Sequence, residues 1–588
     1  MRVIGIIGGM SWESTTAYYE LINEEIKKRL GGLHSAKCLL YSVDFHEIEA
    51  CQAKGDWERS GRILADAAKR LEKAGAEFIV IATNTMHKVA PQLQAQINIP
   101  ILHIADATAD RLEEKGIRRV GLLGTKYTMT QDFYKSRLTD RGMQVIIPGE
   151  QDIECIHSII YEELCLGIIS DESRSQFLRI IEDLSKQGAE GIILGCTEIG
   201  LLVKQADTRI PLFDTTRIHA EKAAKLAIEP VKPIALKPGD KVAVVCLSSG
   251  ILGEDYCKHQ MELGTKRLQE FGLIPVIMPN AVKGREYLSK HPEARAEDLK
   301  QAFLNPEIKV IICAIGGDDT YRLLPYLMED PEFTDAVRKS PKLFTGYSDT
   351  TINHLMFHRL GMNSFYGPNF LSDLAELGQD MLPYTKRAFE SYLEGREIME
   401  YHSSDLWYEE RTDFSAAALG TERIVHKEER GYEAIQGRGV FRGRLLGGCL
   451  ESLYDMLTGN RYPDQKELCE TYHIFPELKE WEGSILFIET CEEKPTPELF
   501  HKELMALKKT GMFNVISGIL VGKPQDEAYY EEYKAVLRQV VDNKDLPILY
   551  NINFGHAHPK CILPYGLETE VDMEQKRIRF LEPLFQKG

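Results

Sequence analysis

The twelve cysteines of this 588-residue chain, at positions 38, 51, 155, 165, 196, 246, 257, 313, 449, 469, 491 and 561, include no CxxC pair. Without that spacing a zinc site or a disulfide framework is not indicated, and reduced thiols in a cytoplasmic protein are expected. Basic residues are in deficit: 71 Lys and Arg against 89 Asp and Glu leave a net charge of −18. Such a field repels polyphosphate and disfavours nucleic acid and anionic membrane as partners. No hydrophobic run reaches membrane-spanning length, and there is no low-complexity segment. The opening MRVIGIIGGM lacks a basic leader region and breaks at Gly8-Gly9, so a first strand is expected there rather than a signal peptide. What is present is 43% hydrophobic and 9% aromatic residues, the composition of a soluble globular chain of two or three domains.

Along residues 1–229, short β-branched runs (3–7, 78–82, 120–123, 191–194) alternate with helical periods such as 60–73 and 173–187. That order predicts two similar half-domains, each a parallel sheet covered by helices. The stretch 230–240, with three prolines and no periodicity, reads as a linker. Residues 241–398 return to α/β order, with strands near 241–247, 274–278, 308–314 and 342–345. From 399 to 588 short β-like runs (ILFIET, SGILVG, EVDM, RIRF) and one clear helix near 448–458 predict a β-rich lobe. Lys/Glu-rich helices such as 500–510 read as solvated faces.

Two stretches of the first unit repeat one device. VIATNTMHKV (80–89) and ILGCTEIGLL (193–202) each run a buried strand into a small polar turn, and only the second turn carries a thiol. Turns at the carboxyl ends of parallel strands bind small polar ligands, so residues 8–14, 83–85 and 195–198 are expected to line one crevice. Cys196, beside a helix start, is expected to have a lowered pKa and to act as an acid/base; its bland alternative is an inert buried cysteine. His87 and His219 either orient a group in the crevice or satisfy local hydrogen bonds. GIIGGM does not have the GxGxxG spacing of a dinucleotide site.

The segments IGIIGGMSWESTTAYY, GGLHSAKCLLYSVDFHEIE, ATNTMHK, HIADAT, LLGTKYTM and GCTEIGLL resemble the aspartate/glutamate racemase family. The resemblance implies a racemase without cofactor, in which one thiolate removes the α-proton and a second thiol on the opposite face returns one. Cys196 matches the second of these cysteines and Thr83 stands at the place of the first. A hydroxyl is a far poorer base than a thiol, so kinetic asymmetry between enantiomers is expected. Ser11, Asn84, Thr85 and Thr197 are the candidates for holding the substrate carboxylates.

In the second unit KLFTGYSDTTINHLMF places Ser348 at a sharp strand-to-helix turn, as a nucleophile elbow does, although residue 350 is Thr and GxSxG is not matched. A serine at such a turn also serves as a plain N-cap. Upstream, VIICAIGGDDTYRLLPYL sets a glycine turn where Gly317, with Asp349, offers backbone N–H groups to an oxyanion. Downstream, SILFIETCEE ends a strand on Glu489 and NINFGHAHPKCILPYG puts His556 in a turn, giving the order Ser, Glu, His. Glu492 and Glu493 are substitutes for Glu489, expected on the following exposed turn. The HxH of His556 and His558 lacks a third ligand at metal spacing, so no metal is expected.

LKPGDKVAVVCLSSG, GGDDTYRLLP, TGYSDTT, FYGPNF, GRLLGGCLESL, LFIET and FGHAHPKCILPYG resemble the serine peptidases comprising LD-carboxypeptidases and microcin C immunity proteins. The resemblance implies a nucleophile at Ser348 with a Glu489 and His556 relay. DLWYEERTDF, the GGCLESLYDMLTG helix and FGHAHP are closer to the immunity branch, where an aromatic loop around Trp407 would cover the substrate. The expected architecture is therefore α/β throughout: a racemase-like pair of parallel-sheet half-domains, then an α/β peptidase lobe and a β-rich C-terminal lobe. The expected function is an amino-acid racemase fused to a serine carboxypeptidase that acts on small peptides. No cofactor is expected, and both resemblances imply a homodimer. Two contrasting readings are a first unit that only senses an amino acid or dimerises, and a chain that binds without catalysis.

Overall fold

Every residue of the apolar strand β1 (Ile4–Gly8) is buried, the pattern of a strand covered on both faces. Around it lie β2 (Cys38–Ser42), β3 (Phe78–Ile81) and β4 (Ile101–Leu102) in the order β2-β1-β3-β4, all parallel. A second parallel sheet repeats the arrangement with β5 (Arg119–Gly124), β6 (Gln144–Ile146), β7 (Gly191–Gly195) and β8 (Leu212–Asp214), in the order β6-β5-β7-β8. The two half-domains expected from the sequence are these two sheets. The helix Thr215–Ile228 follows the second sheet yet buries Ala220, Ala223, Ala224 and Ala227 in one cluster with Ile4, Tyr18 and Val80 of the first. Full burial of each aliphatic side chain of the size of Ile4 contributes roughly 1.5–3 kcal/mol. Its Ile218 is buried with Val120, Leu122 and Ile193 of the second sheet, so that helix ties the halves together.

The computed structural model describes residues 1–586 and divides into two compact units, Met1–Glu229 and Pro230–Gly588. In the second, β9 (Lys241–Val245), β10 (Ile274–Ile277), β11 (Ile308–Cys313), β12 (Leu343–Gly346) and β13 (Phe365–Tyr366) form a parallel sheet ordered β10-β9-β11-β12-β13. Leu563–Pro564 adds an antiparallel strand at its β13 edge. An eight-stranded mixed sheet follows, with Val440–Cys449, Ile485–Glu489, Gly518–Gly522 and Ile548–Ile552 as its parallel centre.

Three sequence expectations need correction. The stretch 230–240 is a strap packed on the second unit: Leu236 is buried and its N–H donates to the Tyr392 carbonyl, while Val231 bridges to Met362. The C-terminal lobe carries further helices, Pro463–Thr471 and Tyr530–Val541, beside Leu450–Thr458. The helix Pro497–Lys509 is only half solvated, since Phe500, Leu504 and Leu507 are buried. The boundary at 398/399 divides neither this unit's first sheet, which Leu563–Pro564 completes from beyond it, nor the core, which runs as one cluster from Ala235 to Phe585.

Candidate active sites

In the second unit the chain leaves β12 at Gly346, passes Tyr347 and turns at Ser348, whose φ of 73° lies in the left-handed region. A serine held there costs on the order of 1–3 kcal/mol, and the turn presents a half-buried hydroxyl. The neighbouring strand β11 leads into Gly316, where an added Cβ would stand 2.6 Å from Ser348 Cβ and 2.8 Å from its Oγ. Only glycine allows that approach. Gly317 follows and lines one crevice with Ser348, Asp349, Glu451, Arg461 and Glu492.

Glu489 ends its strand 2% exposed, and its Oε2 accepts from His556 Nδ1 at 2.8 Å and from the His556 backbone N–H at 3.2 Å. The carboxylate accepts, so Nδ1 carries the proton and Nε2 is left as the basic edge. Tyr366 closes the arrangement. Its hydroxyl donates to Glu489 Oε1 at 2.6 Å and accepts from the Ser348 N–H at 3.1 Å. The Tyr347 ring stands edge-on to His556, with centroids 5.0 Å apart. Ser348, Glu489 and His556 are thereby brought to one place from three strand ends.

His556 Nε2 is not joined to Ser348. It lies 3.0 Å from Glu492 Oε2, whose side chain is 64% exposed. Burial alone would depress the imidazole, but Glu489 and Glu492, one at each ring nitrogen, override it and raise His556 to about 10. The hydrogen bond from His556 lowers Glu492 to about 2. Asp349 is pushed up to about 7 by burial and by Asp319 and Asp318, and its Oδ1 has no partner among the described residues.

Trp407 lies in Leu406–Tyr408, paired with Val425–Lys427, and its indole stacks on His426 at 4.2 Å. It is not among the residues lining the Ser348 crevice. The loop is fixed by Glu410, which reaches His558 Nε2 at 3.1 Å and Arg423 at 2.9 Å, and by Arg423 on Glu376 at 2.6 Å. The second HxH histidine is thus engaged with Glu410 and, at 3.0 Å, Lys560. Among the described residues no group of three His, Cys, Asp or Glu side chains is arranged around a metal position. Glu493 pairs with Arg461 at 3.7 Å.

In the first unit, the turns after β3 and β7 line one crevice with Thr83, Asn84, Thr85, Thr125, Cys165 and Cys196. Glu198 organises its floor. Its carboxylate accepts from Ser11 Oγ at 2.8 Å, from Thr197 Oγ1 at 2.6 Å and from Cys196 Sγ at 3.0 Å. The expected lowering of the Cys196 pKa is reversed: burial and then the Glu198 charge push it well above the usual thiol value. The following helix, Ile199–Leu202, has only four residues and supplies little of the dipole that would favour a thiolate. Ser11 and Thr197 spend their hydroxyls on Glu198 and do not line the crevice, whereas Asn84 and Thr85 do. Asn84 Nδ2 donates to Thr215 Oγ1 at 3.0 Å, while its Oδ1 is buried without a partner among the described residues.

His87 and His219 are structural. Nε2 of His87 accepts from the Ile104 N–H at 3.2 Å, so Nδ1 donates to the Thr83 carbonyl at 2.8 Å. His219 Nε2 donates to the Leu102 carbonyl at 2.9 Å and Nδ1 accepts from Tyr18 at 2.8 Å. Burial depresses both, to about 4 and about 3. The sequence places Glu198 in the crevice but not as the acceptor for Ser11, Thr197 and Cys196, and it shows neither Tyr366 nor the position of Glu492 on Nε2; Glu198 and Tyr366 sit inside the GCTEIGLL and FYGPNF segments already quoted.

Comparison with known proteins agrees with this division. Residues 7–223 match the Asp/Glu/hydantoin racemase family, 242–367 the LD-carboxypeptidase N-terminal domain and 442–571 its C-terminal domain. An MccF-like protein from Streptococcus pneumoniae, solved in complex with AMP, is 50% identical, covers 58% of this chain and 98% of its own, and superposes with a TM-score of 0.56. The microcin C7 self-immunity protein MccF of Escherichia coli is 27% identical over 60% of this chain and 96% of its own length. The broad specificity amino-acid racemase RacX of Bacillus subtilis is 24% identical over 37% of this chain and 95% of its own. The chain therefore belongs to two families in succession, Asp/Glu/hydantoin racemase over residues 7–223 and LD-carboxypeptidase over residues 242–367 and 442–571.

Proposed function

We propose that the protein is a bifunctional enzyme, a serine carboxypeptidase joined to an amino-acid racemase that uses no cofactor. The observation that carries the first activity is the Glu489–His556 pair at 2.8 Å with Ser348 held at a strained turn against Gly316. Once Glu492 has left Nε2 and that nitrogen has given its proton to solvent, the neutral His556 takes the Ser348 proton as Oγ attacks the scissile carbonyl. The N–H groups of Gly317 and Asp349 receive the oxyanion. Collapse of the tetrahedral adduct expels the amine, which takes the proton from His556, and water then releases the acyl group by the same route. The bond is the C-terminal amide of a small peptide or an aminoacyl-nucleotide conjugate. The AMP bound to the S. pneumoniae protein and the immunity role of MccF support the nucleotide class.

In the first unit, Cys196 hands its proton to Glu198 and the resulting thiolate takes the α-hydrogen of the bound amino acid. Thr83 on the opposite side returns a proton to the carbanion, and solvent reloads Thr83 and drains Glu198. Asn84 and Thr85 hold the substrate. Acidic amino acids are the substrates that the family name suggests. The raised Cys196 pKa favours one second reading, an amino-acid sensor without turnover. Exchange of the Cα hydrogen for deuterium, absent in Cys196→Ser, supports the racemase; binding without exchange supports the sensor. For the peptidase, hydrolysis of an LD-linked murein tetrapeptide and of an aminoacyl-adenylate analogue is compared in wild type and Ser348→Ala, and the account requires cleavage of one of them only by wild type.

A further inference from the structure

We propose that the amino acid processed in the first unit carries an uncharged side chain, because its crevice provides for one carboxylate and one ammonium and for no second anion. The inference rests on the racemase reading above and replaces the acidic substrates that the family name suggests with neutral ones.

Among the described residues that line the crevice, Glu198 is the one formally charged group, and it is an anion; no lysine or arginine reaches it. The lysines nearest in sequence are engaged elsewhere. Lys126, beside Thr125, pairs with Glu154, and Lys88 Nζ lies 3.9 Å from the centre of the Trp57 ring. A zwitterionic α-centre is matched by what remains. The Thr85 and Thr125 hydroxyls, 3.0 Å apart, can donate to one carboxylate. Glu198 and the unpartnered Asn84 Oδ1 can accept from an ammonium.

The rest of the lining is neutral. Tyr161 donates to Gln52 Oε1 at 2.9 Å, Gln52 Nε2 faces Met86 Sδ at 3.1 Å, and Met10, Phe45 and Ile160 complete the wall. Such a surface receives a thioether, an amide or a hydroxyl. A second carboxylate would lose its hydration beside Glu198 with no cation to replace it, the costly case for a buried charge. Burial first, and then the carboxylates of Glu198 and Glu13, push the Cys165 thiol up, and burial followed by Glu198 does the same to Cys196.

The test is Cα hydrogen–deuterium exchange by NMR on the full-length protein with L- and D-methionine, glutamine, aspartate, glutamate and lysine, wild type beside Cys196→Ser. The expected result is a kcat/KM for methionine or glutamine at least tenfold above that for aspartate and glutamate, lost in the mutant. Faster exchange with aspartate, glutamate or lysine overturns the proposal and leaves the racemase reading standing. No exchange with any of them removes the racemase reading itself and the proposal with it. Gln52→Arg, which places a cation in the wall, is expected to raise exchange of aspartate or glutamate relative to glutamine at least tenfold; a variant that still turns over methionine without that gain contradicts the proposal. Should the variant not fold, the wild-type comparison decides alone.

Discussion

Glu492 Oε2 stands 3.0 Å from His556 Nε2, on the imidazole edge opposite the one held by Glu489. With an anion on each nitrogen the ring keeps its proton, and His556 is raised to about 10. A protonated imidazole cannot accept from Ser348, so reaction at Ser348 should rise with pH through the neutral range. Glu492→Gln removes one anion, lowers the His556 pKa and moves this rise to lower pH. Each unit of downward shift gives about a tenfold faster reaction at a pH below both values. The pH dependence of Ser348 acylation by a fluorophosphonate measures it, and an unchanged profile contradicts the role given to Glu492.

Tyr366 links the Ser348 N–H to Glu489 Oε1 through one hydroxyl. Tyr366→Phe leaves a buried carboxylate oxygen and a backbone N–H without that partner, which costs about 1–3 kcal/mol of stability. Acylation of Ser348 is expected to slow by about 10- to 100-fold, in line with a positioning effect of a few kcal/mol on the barrier. Thermal melting and probe kinetics on one preparation separate the two effects.

Gly316→Ala tests the packing behind the nucleophile. The new methyl would overlap Ser348 Cβ at 2.6 Å, so the serine must move. Because the clash is confined to the turn, the protein is expected to fold and to lose at least ~100-fold in acylation rate, the scale of a misplacement of about 1 Å. Circular dichroism like wild type together with undiminished labelling would contradict this.

Glu503, 2% exposed and with Oε2 unpartnered among the described residues, is raised to about 9 by burial and by Glu451 and Asp455. A carboxyl whose folded pKa lies above its unfolded value stabilises the fold below the unfolded pKa and loses that contribution as pH rises toward the folded one. Its effect is therefore lost between about 4.5 and about 9. Glu503→Gln removes the ionisation, and the melting temperature is expected to rise by about 1 °C for each kcal/mol recovered at pH 8, with a smaller gain at pH 5. Equal gains at both pH values would contradict the assignment.

The residues legible in the sequence are those that end a strand. Glu489 follows ILFI and Cys196 follows IILG, while Ser348 lies two residues beyond the LFTG strand, so each is placed by a local apolar run meeting a polar turn. Their partners were not legible, because Tyr366, Glu198 and Glu492 acquire roles only when separate strands converge. The Cys196 expectation failed for the same reason: a helix start is visible in sequence, but the carboxylate 3.0 Å from the sulfur is set by a side-chain direction. The strap at 230–240 reads as a tether because prolines suppress periodicity whether a segment is loose or pinned, and its pinning by Tyr392 and Met362 is a tertiary fact.

The most direct test of the hydrolase at the centre of this account is intact-protein and peptide mass spectrometry after treatment with a fluorophosphonate. The account predicts a single adduct on the peptide containing Ser348, absent in Ser348→Ala and formed at least ~100-fold more slowly in His556→Ala, the loss expected when a general base is removed. An unlabelled wild-type protein, or an adduct on another residue that persists in Ser348→Ala, would contradict it.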